Sequence, residues 1–218
     1  MRDIIDDLNN FSVDVKNREI FVHRYYNNSE DADVENKMSS MFIKNIRALD
    51  HKPDPILIHL NAGGGGECEE GMAMYDAMHF TESYITVLIY GYACSMSSII
   101  PQAADFRVMM PNSYMMCHYG SESFVDNHLN NKKYFRFASK LSDNMVDIYA
   151  SRMQYGQYFT DRYDKTKALK YAKAYIQKQM ESGDWYLDAE EAVHFGLADE
   201  ILGSDTYPNI AALKVWPK

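Results

Sequence analysis

Ser95 stands in the segment GYACSMSS, where an apolar run gives way to a stretch of helical composition. A hydroxyl at such a junction lies among the unpaired N–H groups of a helix's first turn, which favour developing negative charge. The same position suits an ordinary N-cap, and Ser97 and Ser98 compete for that role. His118 follows the apolar segment YMMC and precedes Tyr119-Gly120, which puts it at a strand end, where the loops of α/β folds gather functional groups. Any of the seven histidines taken alone is an ordinary surface or packed residue, so the setting is what singles out His118. Serine with histidine suits acyl transfer, because an imidazole can take the hydroxyl proton as the oxygen attacks a carbonyl. Cys117 neighbours His118 in the strand and faces the opposite side, which makes it a poor nucleophile for that ring. Asp184 carries little signal of its own, being one of 31 acidic residues.

Gly63 to Gly66 form a run of glycines between a strand and a helix, where the backbone can turn tightly and approach a ligand. Neither G-x-x-x-x-G-K-[ST] nor G-x-G-x-x-G with a distant acidic residue is completed, and Glu67, Glu69 and Glu70 would repel phosphate. A flexible turn and a backbone N–H donor for an oxyanion remain as the two readings.

The elements that must position these residues are legible as alternating strands and helices. EIFVHRY over 19–25 reads as a strand, and Val34, Met38, Met41, Phe42 and Leu49 mark one face of a helix. ILIHL leads through the glycines into a helix over GMAMYDAMHF, with Gly71 near its start. YITVLIYGY predicts one buried strand, CSMSSIIPQAA a helix, and FRVMM and YMMCH two strands parted by Pro111, Asn112 and Ser113. Such alternation predicts βαβ units. Amphipathic spacing predicts a long helix over 132–153 and another over 168–180, both able to project from the body. Asp188, Glu191 and Gly196 outline a short capped helix, whereas YPNIAALKVWPK yields no reading.

With 218 residues, one domain over 1–218 is expected. An excess of 31 acidic over 22 basic residues argues against a surface that tracks nucleic-acid phosphates. The longest apolar stretches fall short of the roughly 20 residues that span a bilayer. MRDIIDDLNN lacks the apolar core of a secretory signal, so a cytoplasmic setting is expected. Cys68, Cys94 and Cys117 show no C-x-x-C spacing and predict three reduced thiols, with no metal site.

Four motifs, in order, resemble the ClpP family of Clp serine proteases, which have the wider crotonase-like fold. They are the glycine pair leading to GMAMYDAM, the nucleophile segment GYACSM, the base segment PNSYMMCH and the terminal GDWYLDAEEAVHFGLAD, within 19–125 and 183–202. The resemblance implies an α/β fold of stacked βαβ units with a projecting handle helix near 132–153. It implies Ser95 as nucleophile, His118 as general base, Asp184 as the carboxylate that orients it, and the N–H groups of Gly66 and Met96 as oxyanion hole. No cofactor or metal is implied. A homo-oligomer of heptameric rings stacked as a tetradecamer is implied, with residues 1–12 as an axial-pore segment. An AAA+ Clp unfoldase would be the partner and unfolded polypeptides or peptides the substrate.

The chain departs from the family pattern at Gly63-Gly64, where Ser-Pro is usual, with one residue added before the loop, and at Tyr119, where Gln is usual. It also carries a longer segment, QYGQYFTDRYDKTKALKYAKAY, before Asp184. Such divergence suits a phage-encoded member such as a capsid-maturation protease, or a catalytically silent ring subunit. The same fold also hosts acyl-CoA hydratases and isomerases, which hold a thioester enolate with paired N–H groups and need no Ser-His-Asp set.

Overall fold

Ile56–Asn61 and Ile85–Ile89 are buried at every position except Asn61, the signature of central strands in a sheet covered on both sides. A computed structural model describes residues 2–23, 34–120 and 125–214. In chain order, α1 (Arg2–Phe11), β1 (Val13–Asp14), β2 (Glu19–His23), α2 (Asn36–Leu49), β3 (Ile56–Asn61), α3 (Cys68–His79) and β4 (Ile85–Ile89) build the first part. β5 (Tyr92–Cys94), α4 (Met96–Ile99), a 3-10 turn (Ile100–Ala103), β6 (Phe106–Met109) and β7 (Tyr114–Cys117) follow. The remainder is α5 (His128–Met153), α6 (Gln157–Thr160), α7 (Lys165–Glu181), β8 (Trp185–Asp188), α8 (Ala189–His194), β9 (Glu200–Ile201) and a 3-10 turn (Ile210–Lys214).

Two sheets result. The larger has the order β1-β2-β3-β4-β6-β9, parallel except for the β1–β2 pair. Parallel neighbours need crossovers, and α3 returns the chain from β3 to β4. Ile56, Ile58 and Leu60 face the main core with Met38, Phe42 and Met74 from the helices, while Leu57, Leu88 and Val108 face a smaller cluster closed by Leu202 and Leu213. That second cluster gives residues 207–213, opaque as sequence, their place: their 3-10 turn covers the back of the sheet. The smaller sheet is β5-β7-β8, parallel then antiparallel.

The single strand expected over 84–92 is two strands in two sheets. The chain leaves β4 and turns at Gly91, whose φ of 56° suits a residue without Cβ, before pairing β5 with β7. The helix expected over 94–104 is α-helical only from Met96 to Ile99 and tightens to a 3-10 turn, where Pro101 has no N–H for the ladder.

The long helix starts earlier than its apolar spacing suggested, at His128, because the Asn127 side chain accepts hydrogen bonds from the N–H groups of Leu129 and Asn130. Its second half is anchored by Val146, Tyr149, Ala150 and Met153, while Leu129 and Phe135 in its first half are exposed. The expected helix over 168–180 runs from Lys165 to Glu181 and lies against α5, burying Ala168, Ala172 and Ile176, with Lys173 paired to Asp147. Asp188 and Glu191 complete the expected capping box, and Gly196 follows α8 with φ 80°. Residues 24 and 25 of the first predicted strand lie outside the described residues.

Candidate active site

The small sheet carries the chemistry. β5 runs directly into Ser95, β7 ends just before His118, and β8 begins just after Asp184. Pairing of Cys117 with Trp185 in the antiparallel register sets the next residues outward, His118 and Asp184, opposite each other. His118 Nδ1 lies 3.2 Å from Asp184 Oδ1, so the carboxylate fixes the tautomer with hydrogen on Nδ1. Among the described residues the other ring nitrogen, Nε2, is buried with no hydrogen-bond partner, and no hydrogen bond joins it to Ser95.

Ser95 has φ 55° and ψ −127°, a conformation that costs a non-glycine residue about 1–3 kcal/mol and is retained where surroundings over-determine it. Its N–H donates to Met116 O at 2.9 Å, and its C=O accepts from Ser98 N at 2.9 Å. The side chain makes no cap hydrogen bond, so the N-cap reading of this serine fails while its hydroxyl stands at the cleft. Ser97 Oγ donates to Ala62 O at 3.1 Å and ties the turn to the end of the glycine strand.

The glycine run is more than a flexible turn. A Cβ on Gly65 would lie 2.7 Å from both Cys94 O and Ser95 Cβ, so only glycine lets this loop press against the serine turn. Gly66, with φ 153°, follows it, and Val34 bridges the loop through Val34 N to Gly65 O at 2.8 Å and Glu67 N to Val34 O at 2.9 Å. Among the described residues neither the Gly66 nor the Met96 N–H has an acceptor, and both residues line the cleft.

That cleft, about 430 Å³, also holds Ser95 and His118. Tyr134, Phe137, Leu141 and Met145 of α5 form its apolar wall. These four belong to the periodic face that announces the long helix in the sequence, but nothing in that spacing says the face borders the reactive groups. The cysteines are set aside by burial, which pushes the Cys94 thiol up to about 11 and the Cys117 thiol up to about 12. Cys68 is half-buried, and none of the three forms a disulfide. Among the described residues no cluster of side chains could hold a metal ion, and no helix is long and apolar enough to cross a membrane.

Known proteins are similar to this chain in sequence and fold. The ATP-dependent Clp protease proteolytic subunit of Deinococcus radiodurans is 30% identical over 173 residues, 78% of this chain and 76% of that protein. The subunit of the same name from Chlorella vulgaris is 28% identical over 152 residues, 67% of this chain and 65% of that protein. A mutant ClpP1 from Listeria monocytogenes has the same fold, with a TM-score of 0.70 at 18% identity, covering 91% of this chain and 96% of that one. The sequence pattern of the Clp protease family matches residues 15–205. On that match and the Deinococcus relative, the chain belongs to the Clp protease family, a family of serine peptidases.

Proposed function

We propose that this peptidase cleaves peptide bonds through Ser95, His118 and Asp184. The observation that carries the reading is the two-sided state of the His118 ring: Nδ1 is held by Asp184 while Nε2 is buried, unpartnered and in the same cleft as Ser95. An orphaned buried nitrogen is costly in a merely structural setting and useful in a general base. Ser95 Oγ attacks the substrate carbonyl carbon and His118 Nε2 takes the proton. The oxyanion is received by the N–H groups of Gly66 and Met96, and His118 then protonates the departing amine. Water, deprotonated by the same ring, hydrolyses the ester and regenerates the serine. Asp184 keeps Nδ1–H in place and stabilises the imidazolium that forms at each step.

The substrates are peptides and unfolded polypeptides, the working form is a homo-oligomer of stacked heptameric rings, and an AAA+ Clp unfoldase feeds it in the cytoplasm. The chain forms one peptidase domain, with residues 1–12 at the axial pore and the handle helix α5 between rings. The exposed Leu129 and Phe135 on α5 and the exposed Ile5 and Phe11 on α1 support burial of these surfaces in an assembly. The names of the relatives, ATP-dependent Clp protease proteolytic subunits, support the unfoldase.

One observation favours a second reading, a subunit silent until activated: no hydrogen bond joins Ser95 to His118 among the described residues. Fluorophosphonate labelling with intact mass and peptide mapping separates the two. A single adduct on Ser95 of the wild type, lost in Ser95→Ala together with about 10⁴-fold or more of the turnover, is the expected result. A wild type that stays unlabelled beside a labelled control hydrolase would reject the self-sufficient peptidase and leave the silent subunit.

A further inference from the structure

Beneath Ser95 lies a polar group that the peptidase chemistry leaves unexplained. Ser98 is wholly buried, and Tyr149, from the second half of α5, is 1% exposed. Ser98 Oγ is 2.7 Å from Ser95 O, 3.1 Å from Met116 O and 2.6 Å from Tyr149 Oη. Three polar partners, two backbone carbonyls and a tyrosine hydroxyl, meeting on one buried hydroxyl call for a reason beyond packing.

Proton counting orders the group. Ser98 has one hydroxyl hydrogen, and both carbonyls accept only, so Ser98 donates to one of them and its oxygen is left to accept from the Tyr149 O–H. The two carbonyls are not arbitrary. Met116 O already accepts the Ser95 N–H, and Ser95 O already accepts the Ser98 N–H. Whichever carbonyl receives the hydroxyl hydrogen, the bond bears on a peptide group that fixes Ser95 in its positive-φ conformation. A serine bonding back to the carbonyl three residues earlier is by itself a common local habit. The tyrosine from a distant helix, aimed at that same oxygen, is not.

We infer that Tyr149 and Ser98 are positioning residues that couple the handle helix to the Ser95 turn, so that the seating of α5 sets how well the nucleophile is presented. The inference rests on the reading of Ser95 as nucleophile. The coupling is reinforced one turn along each partner. Arg152 Nε of α5 donates to Gln102 O at 2.7 Å, and Gln102 Nε2 donates to Ser98 O at 3.0 Å. Tyr149 also borders the substrate cleft, so the helix that walls the cleft and the serine within it share one rigid link.

The test is a double-mutant cycle on the full chain, with Tyr149→Phe, Ser98→Ala and the two combined, each confirmed as folded by circular dichroism. The readouts are the second-order rate of fluorophosphonate acylation at Ser95, kcat and KM on a fluorogenic peptide, and the melting temperature. Tyr149→Phe keeps the ring and its packing. It is expected to slow acylation and lower kcat by about 10- to 100-fold with KM unchanged, the scale of a slightly misplaced reacting group. Because Tyr149 acts only through Ser98, the combined variant should be no slower than Ser98→Ala alone. A Tyr149→Phe protein that acylates at the wild-type rate, with or without a lower melting temperature, overturns the inference, as do losses that simply multiply in the combined variant. A wild type that never labels at Ser95 removes the nucleophile reading, and this inference with it.

Discussion

His118 and Asp184 meet at a sheet edge where the carboxylate side chain is 49% exposed and the ring 26% exposed. Such a contact gains little from charge alone; its value lies in orientation. Asp184→Asn keeps the shape and can present an amide N–H toward Nδ1, favouring the wrong tautomer. A fall in kcat of about 10⁴-fold with the fold intact by circular dichroism is expected. The thiols give a second test at this scale. With Cys94 pushed up to about 11 and Cys117 to about 12 by burial, neither forms appreciable thiolate at pH 8. Iodoacetamide at that pH should modify half-buried Cys68 in the native protein and reach the other two only after denaturation, as mass mapping would read. Of these residues, Ser95 and His118 stand out as candidates from local context, since a strand end followed by a turn is written in contiguous sequence, although that context suits an N-cap at Ser95 as well. Asp184 does not stand out, because its place beside His118 depends on the β7–β8 register, and it was recovered only through the motif around it. Ser98 and Tyr149 carried no signal as a pair: one read as a rival cap, the other as nothing, and only the packing of α5 joins them.

At the scale of elements, periodicity served where one environment persists along a segment and failed where it changes. β3, β4, α2, α3 and α7 bury one consistent face or both and were found within a few residues. The run from Tyr84 to Tyr92 looks uniform in composition, although burial ends with β4 and Tyr92 is exposed at the start of β5, and the transfer at Gly91 leaves no trace in hydrophobicity. Helix α1 is not read from the sequence, although Ile4, Ile5, Leu8 and Phe11 stand at helical spacing in RDIIDDLNNF. The glycine loop provides the prediction here. Gly65→Ala must accommodate a Cβ at 2.7 Å from backbone and at φ +84°, adding about 1–3 kcal/mol of strain from φ alone. A lower melting temperature is expected, together with slower Ser95 acylation as the loop lifts from the serine turn. Unchanged acylation would show that the loop's close seat is not needed to present the donors.

At the scale of the whole molecule, a charge of −9 favours solubility, while Leu129 at 68% and Phe135 at 49% exposure leave apolar surface on the free half of α5. The ring proposal assigns that surface to a neighbouring subunit. Leu129→Ser combined with Phe135→Ser should therefore lower the assembled mass in light scattering while leaving the melting of the body nearly unchanged. The two sheets also divide labour. The six-stranded sheet and its helices hold most of the buried side chains, whereas the three proposed catalytic residues all sit at the rim of the three-stranded sheet. In evolutionary terms this is a separable inheritance. Substitutions at the rim can erase or retune chemistry without touching the scaffold that later generations need in order to fold. A lineage built this way can duplicate, let one copy fall silent and keep it as an architectural subunit, then regain hydrolysis by a few reversions at the rim.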